Sequence, residues 1–391
     1  MSNVLDQRGW EHLTDWVFVI PPLGAIFTPL FLGALADQRF NAERVLAAVV
    51  LANALSTAGA FGFLALGDSV VAQTGFLSLL VCKALLGAPS WSLLMAVTLT
   101  HLQNPERHFG GIRVWGTLGW MVAGGLVSLL ALDESPGTGM LAGVAGVCAA
   151  LASLSLPATP PSGIKPQSLT AALGLKAFSI FRDRDTAVYF LTAFCFAIPL
   201  AAYYPYTSKF AKDLGIEHVA AFLVLGQGTE IIAMLLMGWA FRRLRLRWLF
   251  LLALTAGSVR YVCYFFGAKL NGADMGLEAI WLVAAGVLMH GICWTFFFES
   301  GRIFVDRRVA RNLRSQAQSL LTVFTGGLAT VIGVFFSGFL YRWCVEGPGP
   351  GWPGFWLILT SLCMVGLIVF ALGYQGLPLQ EPKHEQEEQG S

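Results

Sequence analysis

Charge is scarce in this chain. Only 12% of its 391 residues are Asp, Glu, Lys or Arg, and 56% are hydrophobic, against roughly 25% charged in an ordinary soluble domain. That scarcity excludes a lone soluble domain. Cysteine spacing is also uninformative: Cys82, Cys148, Cys195, Cys263, Cys293, Cys344 and Cys363 lie mostly in apolar stretches, with no Cys-x-x-Cys pair. Small buried residues are the expected reading, and neither a disulfide framework nor a zinc site. No phosphate-binding glycine loop, Ser/His/Asp set or metal-ligand cluster occurs. The expectation is therefore no enzyme, no ATP hydrolysis, no cofactor, no metal and no nucleic-acid partner. The first ten residues are too polar for a signal peptide.

What the chain has instead is apolar runs of membrane-spanning length, about 20 residues each. They fall near 14–35, 45–66, 70–99, 112–132, 138–156, 186–206, 218–240, 248–268, 276–300, 316–342 and 353–373, eleven in all. The runs are continuous rather than alternating, which predicts helices and not barrel strands. Charge placement orients them. Of 25 Lys and Arg, eighteen fall in loops on one side, five on the other (Arg8, Lys209, Lys212, Lys269, Arg342), and Lys83 and Arg260 inside spans. The positive-inside rule puts the richer side in the cytoplasm. The C-terminus is then expected inside and the N-terminus outside.

One composition break, the Pro- and Ser-rich then charged stretch 157–185, separates five runs from six. We expect an N-terminal bundle over 1–156, a cytoplasmic linker over 157–185, a C-terminal bundle over 186–373 and a disordered acidic tail over 374–391. Gly33 and Gly238 recur at an offset of 205, and Gly124-Gly125-Leu126 and Gly326-Gly327-Leu328 at 202. Near-equal offsets suggest a duplicated bundle.

Several motifs carry a family likeness. The charged loop from Gly33 through Asp37 and Arg39 to Arg44 resembles the signature between the second and third helices of major facilitator transporters. There Gly33 permits close packing, and Asp37 and the arginines bridge helix ends. Ile112-Arg113-Val114-Trp115-Gly116-Thr117-Leu118-Gly119, Gly226-Gln227-Gly228-Thr229-Glu230, His290-Gly291, Ser300-Gly301 and Arg314-Ser315-Gln316-Ala317-Gln318 together resemble the nucleoside:proton symporter family of that superfamily. The resemblance runs in order from about residue 14 to 373. It implies an all-α polytopic membrane protein with a major facilitator fold, importing nucleosides or related polar rings by proton symport and alternating access. It also implies a monomer in the bacterial inner membrane, with a nucleoside-like solute, protons and the lipid bilayer as partners. The family has twelve helices, and here the first is absent; a misassigned start is expected. The family's proton-linked Asp aligns with Thr295, and two polar positions align with Leu200 and Tyr203.

Ionisable groups at mid-bilayer depth cost roughly 2.5–3.5 kcal/mol even on lenient scales, so each needs a reason. Glu230 and Arg260 sit at similar depth. They form either a buried salt bridge or a site in which Glu230 takes substrate hydroxyls or a proton. Gln227 shares the helix face of Glu230, and the resemblance makes both nucleoside contacts. Arg113, Thr117 and Trp120 follow one another up their helix, with Trp120 at a family aromatic position. Trp294 resembles a family aromatic beside Thr295. Lys83 must pair, deprotonate or meet an anion, which keeps open a carrier for a sugar acid or another small anion. Glu299, one turn from Thr295, either inherits the proton site or pairs with Arg302. His290 either titrates or packs. A transport-inactive sensor on the same scaffold fits the replaced Asp and the absent helix.

Overall fold

The structure, a computed structural model, describes residues 4–5, 8–10, 13–132, 135–161, 175–216, 219–273 and 275–376. Among these residues every regular element is helical, as an apolar solvent demands of a backbone that must satisfy its own hydrogen bonds. The first span is broken into α1 (Thr14–Phe27) and α2 (Pro29–Gln38) at Thr28. Pro29 has no N–H to continue the ladder. The Thr28 hydroxyl turns instead to the Gly24 carbonyl at 3.2 Å and to the Leu85 carbonyl.

There follow α3 (Ala42–Ala65), α4 (Val70–His101), α5 (Pro105–Leu129) and α6 (Gly137–Ser153). After a short 3₁₀ segment at Leu175–Arg182 come α7 (Arg184–Leu200), α8 (Tyr203–Asp213), α9 (Val219–Arg243) and α10 (Leu246–Asn271). The next span joins α11 (Gly276–Cys293) to α12 (Ser300–Asp306) through a π-helical turn, Trp294–Glu299. Another joins α13 (Arg314–Thr322) to α14 (Thr330–Tyr341) through the π turn Val323–Ala329, and α15 (Gly351–Gly373) ends the described helices.

Nine helices among the described residues are long and apolar enough to cross a bilayer. The two remaining expected runs fall on α5, whose first turns carry Glu106, Arg107, His108 and Arg113, and on α6, which has 17 residues. Charge in one and shortness in the other separate them from the nine. Residues 162–174 of the expected linker lie outside the described residues, and so does the tail beyond residue 376.

Two groups of helices form. In one, α3 packs on α4 and α6, and α1 on α4. Small residues allow this: a Cβ on Gly143 or Gly146 would come within 2.7 or 2.6 Å of the Ala58 or Ala54 methyl. In the other, α7, α10, α11 and α15 surround an aromatic core in which Tyr189, Phe250, Phe297 and Phe304 meet at ring separations of 5.1–5.7 Å.

Two seams join the groups. α2 packs on α13, with α1 against the Val323–Ala329 turn, and α5 packs on α9 rather than within its own group. Glycines at corresponding repeat positions set both. A Cβ on Gly33 would sit 2.6 Å from Ser319 Oγ, and one on Gly238 3.0 Å from the Arg107 carbonyl oxygen.

The Arg-rich ends of the helices are tied together. The Asp37 carboxylate accepts from the Ser315 and Gln316 backbone N–H groups at 3.3 and 3.1 Å, capping α13 from across the seam. The Arg39 and Arg44 side chains make no hydrogen bond or ion pair among the described residues, and their backbone N–H groups go to the Leu35 and Asn41 carbonyls. Glu43 accepts from Thr159 N at 2.8 Å, and Arg307 pairs with Glu106 across the second seam. Asp183 receives Arg308 and the Thr186 N–H and hydroxyl; burial pushes its carboxyl up, but these donors outweigh it and hold the group below the usual carboxylate range.

Candidate functional site

Midway along the α5–α9 seam, polar side chains from both groups converge on Glu230. The local sequence explains how. A Cβ on Gly291 would lie 2.0 Å from Glu230 N, and one on Gly226 3.2 Å from His290 Cβ. Residues 226–230 of α9 and 290–291 of α11 are therefore halves of one close helix crossing. Gly291 N donates to Thr229 Oγ1 at 3.3 Å, and the Thr229 hydroxyl donates to the Gly226 carbonyl at 2.8 Å. Thr229 spends its polarity on the crossing, which leaves Glu230 and Gln227 for other work.

Glu230 is buried, and its Oε1 accepts from the Thr117 hydroxyl of α5 at 2.8 Å, across the seam. Its Oε2 faces His290 Nε2 at 3.9 Å. Arg260 does not pair with Glu230 directly; its Nη1 meets His290 Nδ1 at 3.0 Å, so the imidazole stands between carboxylate and guanidinium. The Tyr203 ring stacks on His290 with centroids 4.5 Å apart, and Arg260 lies over Tyr203 and Tyr261, 4.8 Å from each. Trp294 also lies near-parallel to His290, with centroids 6.2 Å apart. The Thr295 hydroxyl is fully buried and points at the Glu230 carbonyl oxygen from 3.5 Å. It anchors backbone where the expected acid would titrate.

One turn nearer the basic end lies a second cluster. Arg113 Nε donates to Glu299 Oε1 at 3.0 Å, again across the seam, while Arg302 Nε lies 3.7 Å from Oε2. Arg113 lies over the Trp91 ring at 4.7 Å and Arg302 at 5.8 Å. Arg302 Nη1 donates to Gln318 Oε1 at 3.3 Å, and Gln318 Nε2 donates to the Arg302 carbonyl at 2.8 Å. Of the two alternatives raised for Glu299, the geometry shows the pairing with Arg302 from its own group, together with Arg113 from the other. The Trp294–Glu299 π turn explains its aim, since an extra residue per turn rotates the following side chains toward the seam. Nearby, the Ser92 hydroxyl of α4 donates to Thr322 Oγ1 at 2.9 Å.

Several expected residues stand apart. Lys83 is partly buried in α4; its carbonyl accepts from Asn53 Nδ2 at 2.8 Å, and among the described residues no acid pairs with its ammonium. Trp120 is 74% exposed on α5, away from Glu230. Leu200 packs into the apolar core, and Gln227 is half-buried. A pocket of about 640 Å³ opens at the basic mouth of the seam, lined by Asp37, His101, Gln103, Asp306, Arg307 and Arg314 among others. It lies beyond the Glu299 cluster and does not reach Glu230. Sequence reasoning missed Trp91 and Ser92, neutral residues in an apolar run, and named Gln318 only as part of a motif. The only signal was the surplus of arginines needing a partner.

The nucleoside H⁺ symporter family profile matches residues 4–377. Over 373 residues the chain is 28% identical to the putative nucleoside transporter YegT of Escherichia coli, covering 92% of this chain and 85% of that one. It is 25% identical over 390 residues to the xanthosine permease of the same organism, covering 96% and 90%. Among solved structures, a mutant form of the nucleoside transporter NupG superposes with a TM-score of 0.70 at 21% identity, over 96% of this chain and 94% of that one. The human organic anion transporter MFSD10 superposes with a TM-score of 0.66 at 14% identity, over 94% and 87%. These likenesses give the fold, that of the major facilitator transporters. With a family match spanning nearly its whole length, this multi-pass membrane chain belongs to the nucleoside H⁺ symporters.

Proposed function

We propose that this chain imports nucleosides by proton symport, with its two helix groups alternately exposing a site centred on Glu230. The observation that carries the reading is the Thr117–Glu230 hydrogen bond, a buried carboxylate at mid-seam held by the opposite group. A carboxylate and the Gln227 amide on one helix face offer acceptors and donors for a ribose diol and a base edge. Trp294 offers a ring face. Arg113 and Glu299 close the floor, while Gly33 and Asp37, with Arg39 and Arg44 beside them, belong to the seam that separates and re-forms. Positive charge makes the basic end cytoplasmic, with the C-terminus inside.

Uptake of labelled uridine, adenosine and xanthosine into cells expressing the protein, with and without a proton uncoupler, tests this. Uncoupler-sensitive accumulation is expected. Binding without flux would replace the carrier with a sensor. Lys83 favours a second reading, a small organic anion as substrate, because an ammonium without an acid partner at that depth recruits one. Lys83→Met leaving uptake and selectivity unchanged would remove it.

A further inference from the structure

Resting on the symport reading above, we infer that Glu230 is the proton-carrying group of the cycle, and that His290 and Arg260 are positioning residues that keep it so.

The inference follows from what each nitrogen can do. A guanidinium only donates hydrogen bonds. Arg260 Nη1 is 3.0 Å from His290 Nδ1, so Nδ1 must be the acceptor. A neutral imidazole carries one proton, which then sits on Nε2, the nitrogen facing Glu230 Oε2 at 3.9 Å. Making His290 an imidazolium would place a second N–H against the Arg260 N–H, inside a wall of Tyr203, Tyr261 and Trp294 rings. Arg260 is fully buried, and among the described residues its Nε and Nη2 have no hydrogen-bond partner, so it cannot turn its charge to water. His290 is thereby fixed as a neutral imidazole whose single N–H points towards Glu230. Thr295, in the position where an acid was expected, has no proton to exchange at physiological pH.

The other ionisable groups facing this centre are Arg113 from α5, Glu299 from the π turn and Cys293 at the end of α11. Glu299 is engaged by two arginines, which leaves Glu230 as the carboxylate whose neutralisation frees a bond between the groups. A proton from water on the opening side joins Oε2. Glu230 becomes neutral, its hold on the Thr117 hydroxyl weakens, and the same proton leaves to water on the other side.

The test uses purified protein in proteoliposomes, measuring nucleoside uptake and proton flux against external pH. His290→Phe removes this N–H and is expected to move the uptake midpoint about one pH unit upward, about tenfold in proton affinity. His290→Gln, whose amide can still accept from Arg260 and donate to Glu230, should keep the midpoint near that of the native protein. Arg260→Met releases Nδ1, and a second titrating group should broaden the profile. Glu230→Gln should abolish proton flux. Monodispersity and thermal melting of each variant establish its fold. An unmoved midpoint in folded His290→Phe and an unbroadened profile in Arg260→Met would overturn the positioning role, and proton flux surviving Glu230→Gln would overturn the carrier role. If native uptake ignores the proton gradient, the symport reading itself fails, a separate and recognisable result.

Discussion

One helix, α5, passes through two different environments. In its first half Phe109, Gly110, Val114 and Thr117 are buried against α9, and a Cβ on Gly110 would lie 2.1 Å from the Met234 carbonyl oxygen. In its second half the consecutive residues 122–126 are all exposed, and a Cβ on Gly119, Gly124 or Gly125 would meet nothing within 4 Å. The same contrast holds within the glycine-pair repeats, since Gly327 is pressed onto Ile26 while its counterpart Gly125 is free of contact. Along this one seam, α5 and α9 interlock at the basic end, and α5 stands clear of its neighbours towards the other. In the inhomogeneous seam, polar cross-links sit only where the helices touch.

The comparison breaks most severely at Glu299. Glu299→Gln leaves Arg113 and Arg302 buried with a neutral partner, a change that costs about 3–5 kcal/mol when one member of a buried ion pair is removed. The expected outcome is a large fall in thermal stability of the purified protein. In a background without native cysteines, faster maleimide labelling of Gln103→Cys at the basic mouth is also expected. Unchanged labelling would mean that the ion cluster does not hold that end shut.

Gly110→Val comes next. The clash is with backbone, which cannot swing aside as a side chain would, so α5 must lift from α9 at about 3 kcal/mol, the upper part of the usual overpacking range. Calorimetric or fluorescence melting of the purified variant measures it. Thr117→Val is gentler. It keeps volume and deletes one hydrogen bond to a charged group, about 1.5–3 kcal/mol. A roughly tenfold rise in the uptake KM, with a smaller change in melting, is the expected signature of a bond at the substrate's own position.

Much of this is readable from the chain, and what is not has a physical cause. Long apolar runs force helices, so the spans lie close to their expected places. Gly33 and Asp37 advertise a seam because a small residue followed by a charge one turn on has few other uses in a membrane helix. The partner of Asp37, however, is the start of α13, 278 residues away, and pattern along a helix carries no information about which distant helix end it caps. Matching depth brings Glu230 and Arg260 together on paper, yet the imidazole between them comes from a third helix. A lone His in an apolar run gives no hint that both its nitrogens are engaged. The offset aim of Glu299 is hidden for a related reason: a π turn changes which residues share a face, and 3.6-residue periodicity assumes there is none.

Gly124→Val is the smallest of these effects and the sharpest control. It makes the same substitution as Gly110→Val on the same helix, about four turns further on, where no atom stands within 4 Å of the new Cβ. A helix also prefers Val over Gly by a few tenths of a kcal/mol, so melting should stay within about 0.5 kcal/mol of the native protein. If transport by Gly124→Val is nonetheless lost while its melting is unchanged, then the open half of α5 must close onto something during the cycle. The added isopropyl group would block that closure in the alternate state, and the contrast between the two halves of α5 would be one of conformation and not of construction.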